Sequence, residues 1–315
     1  MSAAAAAPGL VTPGSLEEAA ELLRAAGAAG RTVSIGREGG DTVLSTAGLT
    51  RVLEHEPGDL IVIVEAGIRL SALDAALAPH GQLLALDPPG DPTVGACLAA
   101  NLSGPRRHRF GAPRDLVLGA TLVLGDGTIA SSGGKVVKNV AGFDLGKLVC
   151  GSEGRLALIG RVCLRLHPRP AAQRTVTAPV RDAADAARLA SLVLRSTLAP
   201  SAVDVHWPDR IALLFEGSER AVAAQVGAAC TLLGGQEASD EVWSEAGGRQ
   251  LASRGRVSFS PGQLQQLLEA WPRAVVRAGA GAAWVPDPVA DGRSAGVRTL
   301  EARITAQLDP QGVLA

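Results

Sequence analysis

The sequence predicts an α+β fold in two domains, and three observations carry that prediction. The chain has 315 residues and is 47% hydrophobic, enough to bury two separate cores. Glycine-rich turns at the ends of strand-like runs crowd into the region before about residue 170. After that point the pattern changes to β-α-β-β-α with ordinary packing periodicity, which describes a sheet with helices on one side. The boundary falls near Arg169 to Arg174, giving domains of residues 1–170 and 171–315.

The elements follow in order. "SLEEAAELLRAAG" opens with Ser15 as N-cap and Glu18 three residues on, a capping-box signature before a helical apolar spacing. "RTVSI" reads as a strand and "GREGGD" as a glycine turn. "DLIVIVEAG", Asp59 to Gly67, is almost wholly apolar and β-branched, as a strand buried on both faces should be. "LSALDAALAPHG" is a helix. "DPTVGACLAANLSG" is a proline turn followed by a short helix of small residues ending at Gly104. In "LVLGATLVLGDGTIA" two β runs flank Gly125-Asp126-Gly127 and predict a hairpin. "RLALIGRVCLRLHP" is the last strand of the first domain. In the second domain "TVTAPV", "AVDVHW", "IALLFEG" and "AVVRAGAGAAWVP" read as strands. "DAADAARLASLVLRST", "SERAVAAQVGAACTLLGG", "PGQLQQLLEAWP" and "VRTLEARITAQLDPQG" read as helices.

Composition removes several function classes. Lys plus Arg number 30 and Asp plus Glu 31, a formal net charge of -1, so charge gives no case for a nucleic-acid partner. Aromatics are 3% and Tyr is absent, which disfavours base-stacking platforms and excludes a catalytic phenol. Cys97, Cys150, Cys163 and Cys230 form no CxxC pair and read as buried reduced thiols. No window approaches the roughly 20 uncharged apolar residues of a spanning helix. "MSAAAAAPGL" lacks the basic start of a signal peptide. A cytoplasmic protein is expected, with any membrane association made through partner subunits.

The familiar nucleotide motifs do not fit. No G-x-G-x-x-G lies between a strand and a helix, and "SSGGKVVK" lacks both the first glycine and the hydroxyl of a P-loop. The nucleophile elbow is absent. His55, His80, His108, His167 and His206 show no zinc spacing, and no metal site is expected. What remains is a set of turns, "GREGGD", "DPPGDPTVG", "NLSGPRRHRFGAPRD" and "KNVAGFDLGKLVCGSEG". Glycine lets backbone approach a ligand and turn N–H groups toward it, so these turns could jointly line one long pocket.

The stretch "GGKVVKNVAGFDLGKLVCGSEGRLALIGRVCLRLHPRP" closely resembles the end of the FAD-binding domain in the p-cresol methylhydroxylase and vanillyl-alcohol oxidase superfamily. More narrowly, "KNVAGFDL", "GPRRHRFGAPRDLVLG", "DPPGDPTVGACLAANLSG" and the C-terminal "LDPQGVLA" resemble the smaller FAD-binding subunit of glycolate oxidase, also called glycolate dehydrogenase. That resemblance implies a PCMH-type FAD-binding domain of two α+β subdomains, followed by a smaller α+β cap domain. It implies non-covalent FAD, with pyrophosphate against glycine-rich backbone and isoalloxazine toward the cap. Carried over by position, Gly36, Gly39 and Gly40 would form the first phosphate-approaching turn. Pro89, Thr93, Val94, Gly95 and Gly104 would line the middle of the cofactor. Asn139, Gly142, Asp144, Gly151, Ser152 and Gly154 would form the later walls, and Ile159 would meet the adenine or ribose end. The first loop departs from the family's pattern: "IGREGGD" places Glu38 and Asp41 where they would repel a diphosphate unless turned away.

The resemblance also implies a larger FAD-binding glycolate oxidase subunit and an iron–sulfur subunit as partners, and a small 2-hydroxy acid as substrate. The leading expectation is an FAD-dependent oxidoreductase subunit acting on CH–OH donors; the alternative is a non-catalytic assembly subunit that has lost FAD. No catalytic base is identifiable, since the second domain shows no arginine–histidine constellation along the sequence. Lys135 and Lys138 could neutralise a phosphate or carboxylate, or simply be solvated at a turn. Arg106, Arg107, His108 and Arg109 could face an acidic substrate, FAD phosphates or a partner, or form an exposed basic loop. His206 reads as the end of a core strand.

Overall fold

The computed structural model describes residues 9–134 and 144–315. The chain opens with a small parallel sheet of Gly9–Val11 (β1), Val33–Ile35 (β2) and Thr42–Leu44 (β3), in the order β1-β3-β2. Helix α1 (Leu16–Ala28) makes the crossover and buries Leu16, Ala19, Ala20 and Leu23, one face at helical spacing. Ser15 Oγ accepts from the Glu18 N–H at 3.1 Å, as expected of an N-cap. The Glu18 carboxylate accepts instead from the Gly14 N–H at 2.8 Å, one residue before the N–H that a capping box would use.

A five-stranded antiparallel sheet follows, built from Val52–Glu56 (β4), Ile61–Glu65 (β5), Val117–Val123 (β7), Ile129–Gly133 (β8) and Leu158–Arg165 (β9), in the order β4-β5-β9-β7-β8. The predicted hairpin is β7–β8. A minor pair joins Gln82–Leu83 (β6) to His167–Pro168 (β10). Helices α2 (Leu70–Leu77) and α3 (Val94–Ala99), with the short helices α4 (Arg107–Phe110), α5 (Pro113–Leu116) and α6 (Leu145–Leu148), complete this region. Val62, Val64, Val162 and Leu164 of the sheet pack with Leu73 and Leu77 of α2 and Cys97 and Leu98 of α3. Val123 and Leu158 face the other way, into the core beneath α1. The sheet is therefore sandwiched, which explains why its central strands carry little alternation.

Residues 172–285 build a seven-stranded, wholly antiparallel sheet. Its strands are Ala172–Pro179 (β11), Ala202–Trp207 (β12), Arg210–Gly217 (β13), Gln236–Ala238 (β14), Gly255–Ser258 (β15), Ala274–Arg277 (β16) and Ala282–Val285 (β17), in the order β14-β11-β13-β12-β16-β17-β15. Helices α7 (Ala183–Arg195), α8 (Glu219–Leu233) and α10 (Leu264–Ala270) cover the face that carries Val176, Val203, Val205, Leu213 and Val276. Helix α9 (Glu241–Leu251) lies on the opposite face: the Trp243 indole donates to Thr175 Oγ1 at 2.9 Å, and Arg277 donates to Gln250 Oε1 at 2.7 Å. The helices thus cover both faces rather than one. "AVVRAGAGAAWVP" is a hairpin of β16 and β17 rather than a single strand, because the turn at Ala278–Ala280 and Gly281 at φ 61° reverse the chain.

After α11 (Ala295–Leu308) the chain returns to its beginning. Asp309 accepts from the N–H groups of Val313 (2.9 Å) and Leu314 (2.7 Å), Val313 O accepts from the Val33 N–H at 2.7 Å, and Val313 and Leu314 join the core under α1. No helix among the described residues is long and apolar enough to cross a membrane.

Candidate functional site

Three parts of the N-terminal region meet around an open cleft of about 890 Å³. One wall is the end of β2 and the turn after β3: Ile35, Gly36, Arg37, Ser45, Thr46 and Ala47. The second is the end of β5 and the start of α3: Gly67, Arg69, Thr93, Gly95, Ala96, Ala99 and Ala100. The third is Glu153, Gly154, Ala157 and Ile159, leading into β9. The volume lies within the roughly 300–1,000 Å³ of small-molecule and cofactor sites. Small side chains leave main chain at the surface of all three walls.

Local hydrogen bonds hold these walls in place. Thr93 caps α3, its Oγ1 accepting from the Ala96 N–H at 3.1 Å. The N–H of Gly95 donates to Ala66 O at 2.6 Å and that of Val94 to Ile68 O at 2.9 Å, so α3 is tied to the end of β5. At Gly67 the first and second walls come into contact. A Cβ there would overlap the Thr46 carbonyl oxygen and stand 2.7 Å from that of Leu49, so only glycine lets the first and second walls touch. Gly36 turns at φ 65°, and its N–H donates to Leu44 O at 2.9 Å. Two basic side chains reach the cleft. Arg69 donates to Asp91 O at 2.6 Å, and Arg37 donates to the Ala315 carbonyl, which ties the C-terminus to the rim.

The structure distributes the expected residues unevenly. Gly36, Thr93, Gly95, Gly154 and Ile159 line the cleft together. Gly39 sits at φ 139° with open space around it, and Gly40 packs against the main chain of Thr32 to Ser34. Val94, the first residue of α3, is fully buried. Pro89 lies against Gly247 of α9, and Gly104 presses on the Asp87 backbone. Gly151 donates to Leu98 O at 2.9 Å behind the third wall. The neighbouring Ser152 Oγ and Asn101 Oδ1 are buried and meet no hydrogen-bond partner among the described residues. Asp144 caps α6 through the Lys147 N–H (3.0 Å) and pairs with the Lys147 ammonium (3.1 Å), away from the cleft. Asn139 and Gly142, with Lys135 and Lys138, lie outside the described residues.

The carboxylates of "IGREGGD" do not face the cleft. Asp41 accepts from the Thr32 N–H (2.8 Å) and Thr32 Oγ1 (3.0 Å), bonds that hold its carboxyl below the ordinary range. Glu38 is exposed and lies outside the lining. The basic run at Arg106 to Arg109 is neither a solvated loop nor part of the cleft: it docks onto the seven-stranded sheet and its turns. Arg106 pairs with Glu216 at 2.6 Å, Arg109 reaches Ser201 Oγ at 3.4 Å, and His108 packs on Gly279.

Sequence reasoning missed Arg37, Ser45, Thr46, Gly67 and Arg69. "LSTAG", a run of small residues just after β3, and the glycine closing "DLIVIVEAG" carried the same small-residue signal as the turns that were singled out. It also missed a cluster on the second domain. The pairing of β12 with β16 sets Asp204 directly opposite Arg277, with His206 two residues along on the same face. All three are buried. Burial pushes the Asp204 carboxyl up to about 7 against the pull of Arg277, and burial, aided by nearby arginines, pushes His206 down to about 3.

Comparison with known proteins accords with this geometry. Residues 7–133 match the family described as FAD binding domain. The glycolate oxidase subunit GlcE of Escherichia coli (strain K12) is 32% identical over 203 residues, 64% of this chain and 56% of that protein. The D-lactate dehydrogenase of Archaeoglobus fulgidus is 32% identical over 203 residues, 60% of this chain and 45% of that protein. The chain spans about half the length of these curated relatives. A solved structure of alkyldihydroxyacetonephosphate synthase superposes with a TM-score of 0.71 at 17% identity, covering 96% of this chain and 75% of that one. That likeness establishes the α+β, PCMH-type fold.

Proposed function

Because residues 7–133 match the family described as FAD binding domain, we propose an FAD-carrying oxidoreductase subunit of a glycolate oxidase-type complex. Its substrate class is the small 2-hydroxy acids, and its partners are a larger FAD-binding subunit and an iron–sulfur subunit. The observation that carries the reading is the convergence of three glycine-bearing turns, distant in sequence, on one cleft of cofactor size. The similarity to GlcE supports the assignment to a complex.

The cleft suits a long, partly anionic coenzyme held without a covalent bond. Main-chain groups around Gly36, Thr46, Gly67 and Gly154 can approach phosphates and ribose closely, and Arg37 and Arg69 supply positive charge at the rim. Ser152 Oγ and Asn101 Oδ1, buried beside the third wall without partners among the described residues, are groups such a ligand could satisfy. The apolar walls at Ala96, Ala99, Ala157 and Ile159 suit a flat ring system and exclude water from it. When bound, FAD would accept a hydride equivalent from a CH–OH donor and pass electrons on. The chain's own part is to hold that group, shield it, and present the seven-stranded sheet of residues 172–285 as a cap, while the C-terminal Val313 and Leu314 pack back into the core under α1. In this reading the protein works in the cytoplasm.

The test is purification of the chain alone and with its two partners, scoring bound flavin and glycolate-dependent dye reduction. Bound flavin with activity only in the complex is the expected result. A colourless chain that still assembles with active partners would mark a scaffold that has lost FAD.

A further inference from the structure

We propose that α11, with α6 beside it, is the docking surface for one amphipathic helix of the larger FAD-binding subunit, apolar along its seam and acidic along one flank. The inference rests on the reading above for the identity of the partner, but its observations are independent of the FAD cleft.

Helix α11 is held at its ends rather than along its length. Ser294 Oγ caps it by accepting from the Val297 N–H at 3.3 Å, Arg293 pairs with Glu301 at 3.0 Å, and Asp309 anchors the turn that follows. Among the described residues, none in α11 is buried. A helix of this length standing alone is marginal in water, and most helical stability in proteins comes from packing an apolar face. Helix α11 has such a face. Val297, Leu300, Ile304 and Leu308 recur at helical spacing and form one stripe. Val297 is 43% exposed and Leu300 55%. The stripe is narrow, a seam that suits one facing helix and not a sheet or a broad core.

An open groove of about 850 Å³ runs between this stripe and α6. Leu145, Leu148 and Cys150 line one side, and Leu300, Ile304 and Leu308 the other. Leu148, at the end of α6, is exposed as well. The charge of the rim selects the occupant. Arg114, Lys147 and Arg303 stand there against one lining carboxylate, Asp144, which Lys147 already holds at 3.1 Å. Arg114 and Arg303 make no ion pair among the described residues. A second copy of this chain is a poor occupant. A two-fold axis through the middle of the stripe would bring Arg303 against Arg303, and like charges there repel. A related chain with acidic side chains on that flank gains the same geometry without the repulsion. Of the two partners proposed above, the larger FAD-binding subunit is the related one, and the contact is assigned to it.

The test uses the full chain co-expressed with the larger and the iron–sulfur subunits. Leu300→p-benzoylphenylalanine serves as a photo-crosslinking variant, and the joined peptides are mapped by mass spectrometry. The expected product links α11 to one helix of the larger subunit that carries Asp or Glu on the flank facing Arg303. Leu300→Asp should weaken assembly about tenfold or more, read by sedimentation, with flavin content unchanged. Because Leu300→Asp could unfold α11, two further variants are measured alongside. Leu300→Met keeps the apolar contact and should assemble like the wild type. Arg303→Gln, on the exposed flank, should weaken assembly about threefold and flatten its salt dependence. Cross-links only to the iron–sulfur subunit, to a second copy or to residues 135–143 of the same chain would overturn the proposal. A complex indifferent to Leu300→Asp and Arg303→Gln would overturn this surface alone and leave the function proposed above. A wild-type chain that forms no complex with the larger subunit would remove both.

Discussion

The cleft proposed to hold FAD and the polar face of the seven-stranded sheet are built by opposite means. The cleft is made of main chain and small side chains brought together by turns, with Gly67, Gly95 and Gly154 at its walls. The polar face is made of long and charged side chains, Asp204, His206 and Arg277, fixed by strand pairing and buried. The first should tolerate changes of charge and fail with added bulk. The second should tolerate small changes of bulk and respond sharply to charge.

The largest expected effect breaks the cleft by bulk alone. Gly67→Val would drive a branched side chain into the Thr46 and Leu49 carbonyls, and should cost about 2–4 kcal/mol of stability with loss of flavin uptake. Urea denaturation and absorbance of the purified variant measure both. The next tests the interface between the two regions. Glu216 is 4% exposed in its side chain and holds Arg106 at 2.6 Å; Glu216→Gln should cost about 2–3 kcal/mol, read as a lower urea midpoint.

The third sharpens the contrast through pH. Asp204, raised to about 7, takes up a proton on folding, so its contribution is full below about pH 4 and is lost as pH rises to 7. His206, lowered to about 3, is neutral when folded, so its contribution grows as pH rises from 3 to 6.5. Over pH 4–6.5 the two slopes, each at most about 1.4 kcal/mol per pH unit, oppose one another. Asp204→Asn should uncover the rising slope of His206, visible in denaturation midpoints across that range; an unchanged profile would place the titration elsewhere. A smaller effect belongs to the α3 cap: Thr93→Ala should cost about 1 kcal/mol and weaken FAD a few-fold, measured by fluorescence titration. The smallest is Asp41→Asn. Its carboxylate is spent on Thr32, so FAD affinity should change less than twofold; a tenfold gain would mean that Asp41 does repel the diphosphate.

The same contrast explains what could be read in advance. Helix α1, the buried strand β5 and the β7–β8 hairpin carry local signals: a cap, a β-branched run, a Gly-Asp-Gly turn. Gly36, Thr93, Gly95, Gly154 and Ile159, singled out through the family resemblance, line one cleft together. Pro89, Gly104 and Asp144 were singled out in the same way but answer to packing and capping, a distinction made only by the tertiary fold. Helix α9 escaped notice because Gly247 and Gly248 weaken its intrinsic propensity; burial of Val242, Ala246 and Gln250 holds it. Asp204 and Arg277 stand 73 positions apart in sequence, so the register of β12 on β16 joins them and no local pattern could.

The most direct test of the central claim is a titration of the purified chain with FAD, followed by flavin absorbance and fluorescence, in the wild type, Gly67→Val and Arg277→Met. The account predicts saturable uptake of FAD by the wild type and by Arg277→Met, and none by Gly67→Val. A wild-type chain that stays colourless at saturating FAD, or equal uptake by Gly67→Val, would contradict it.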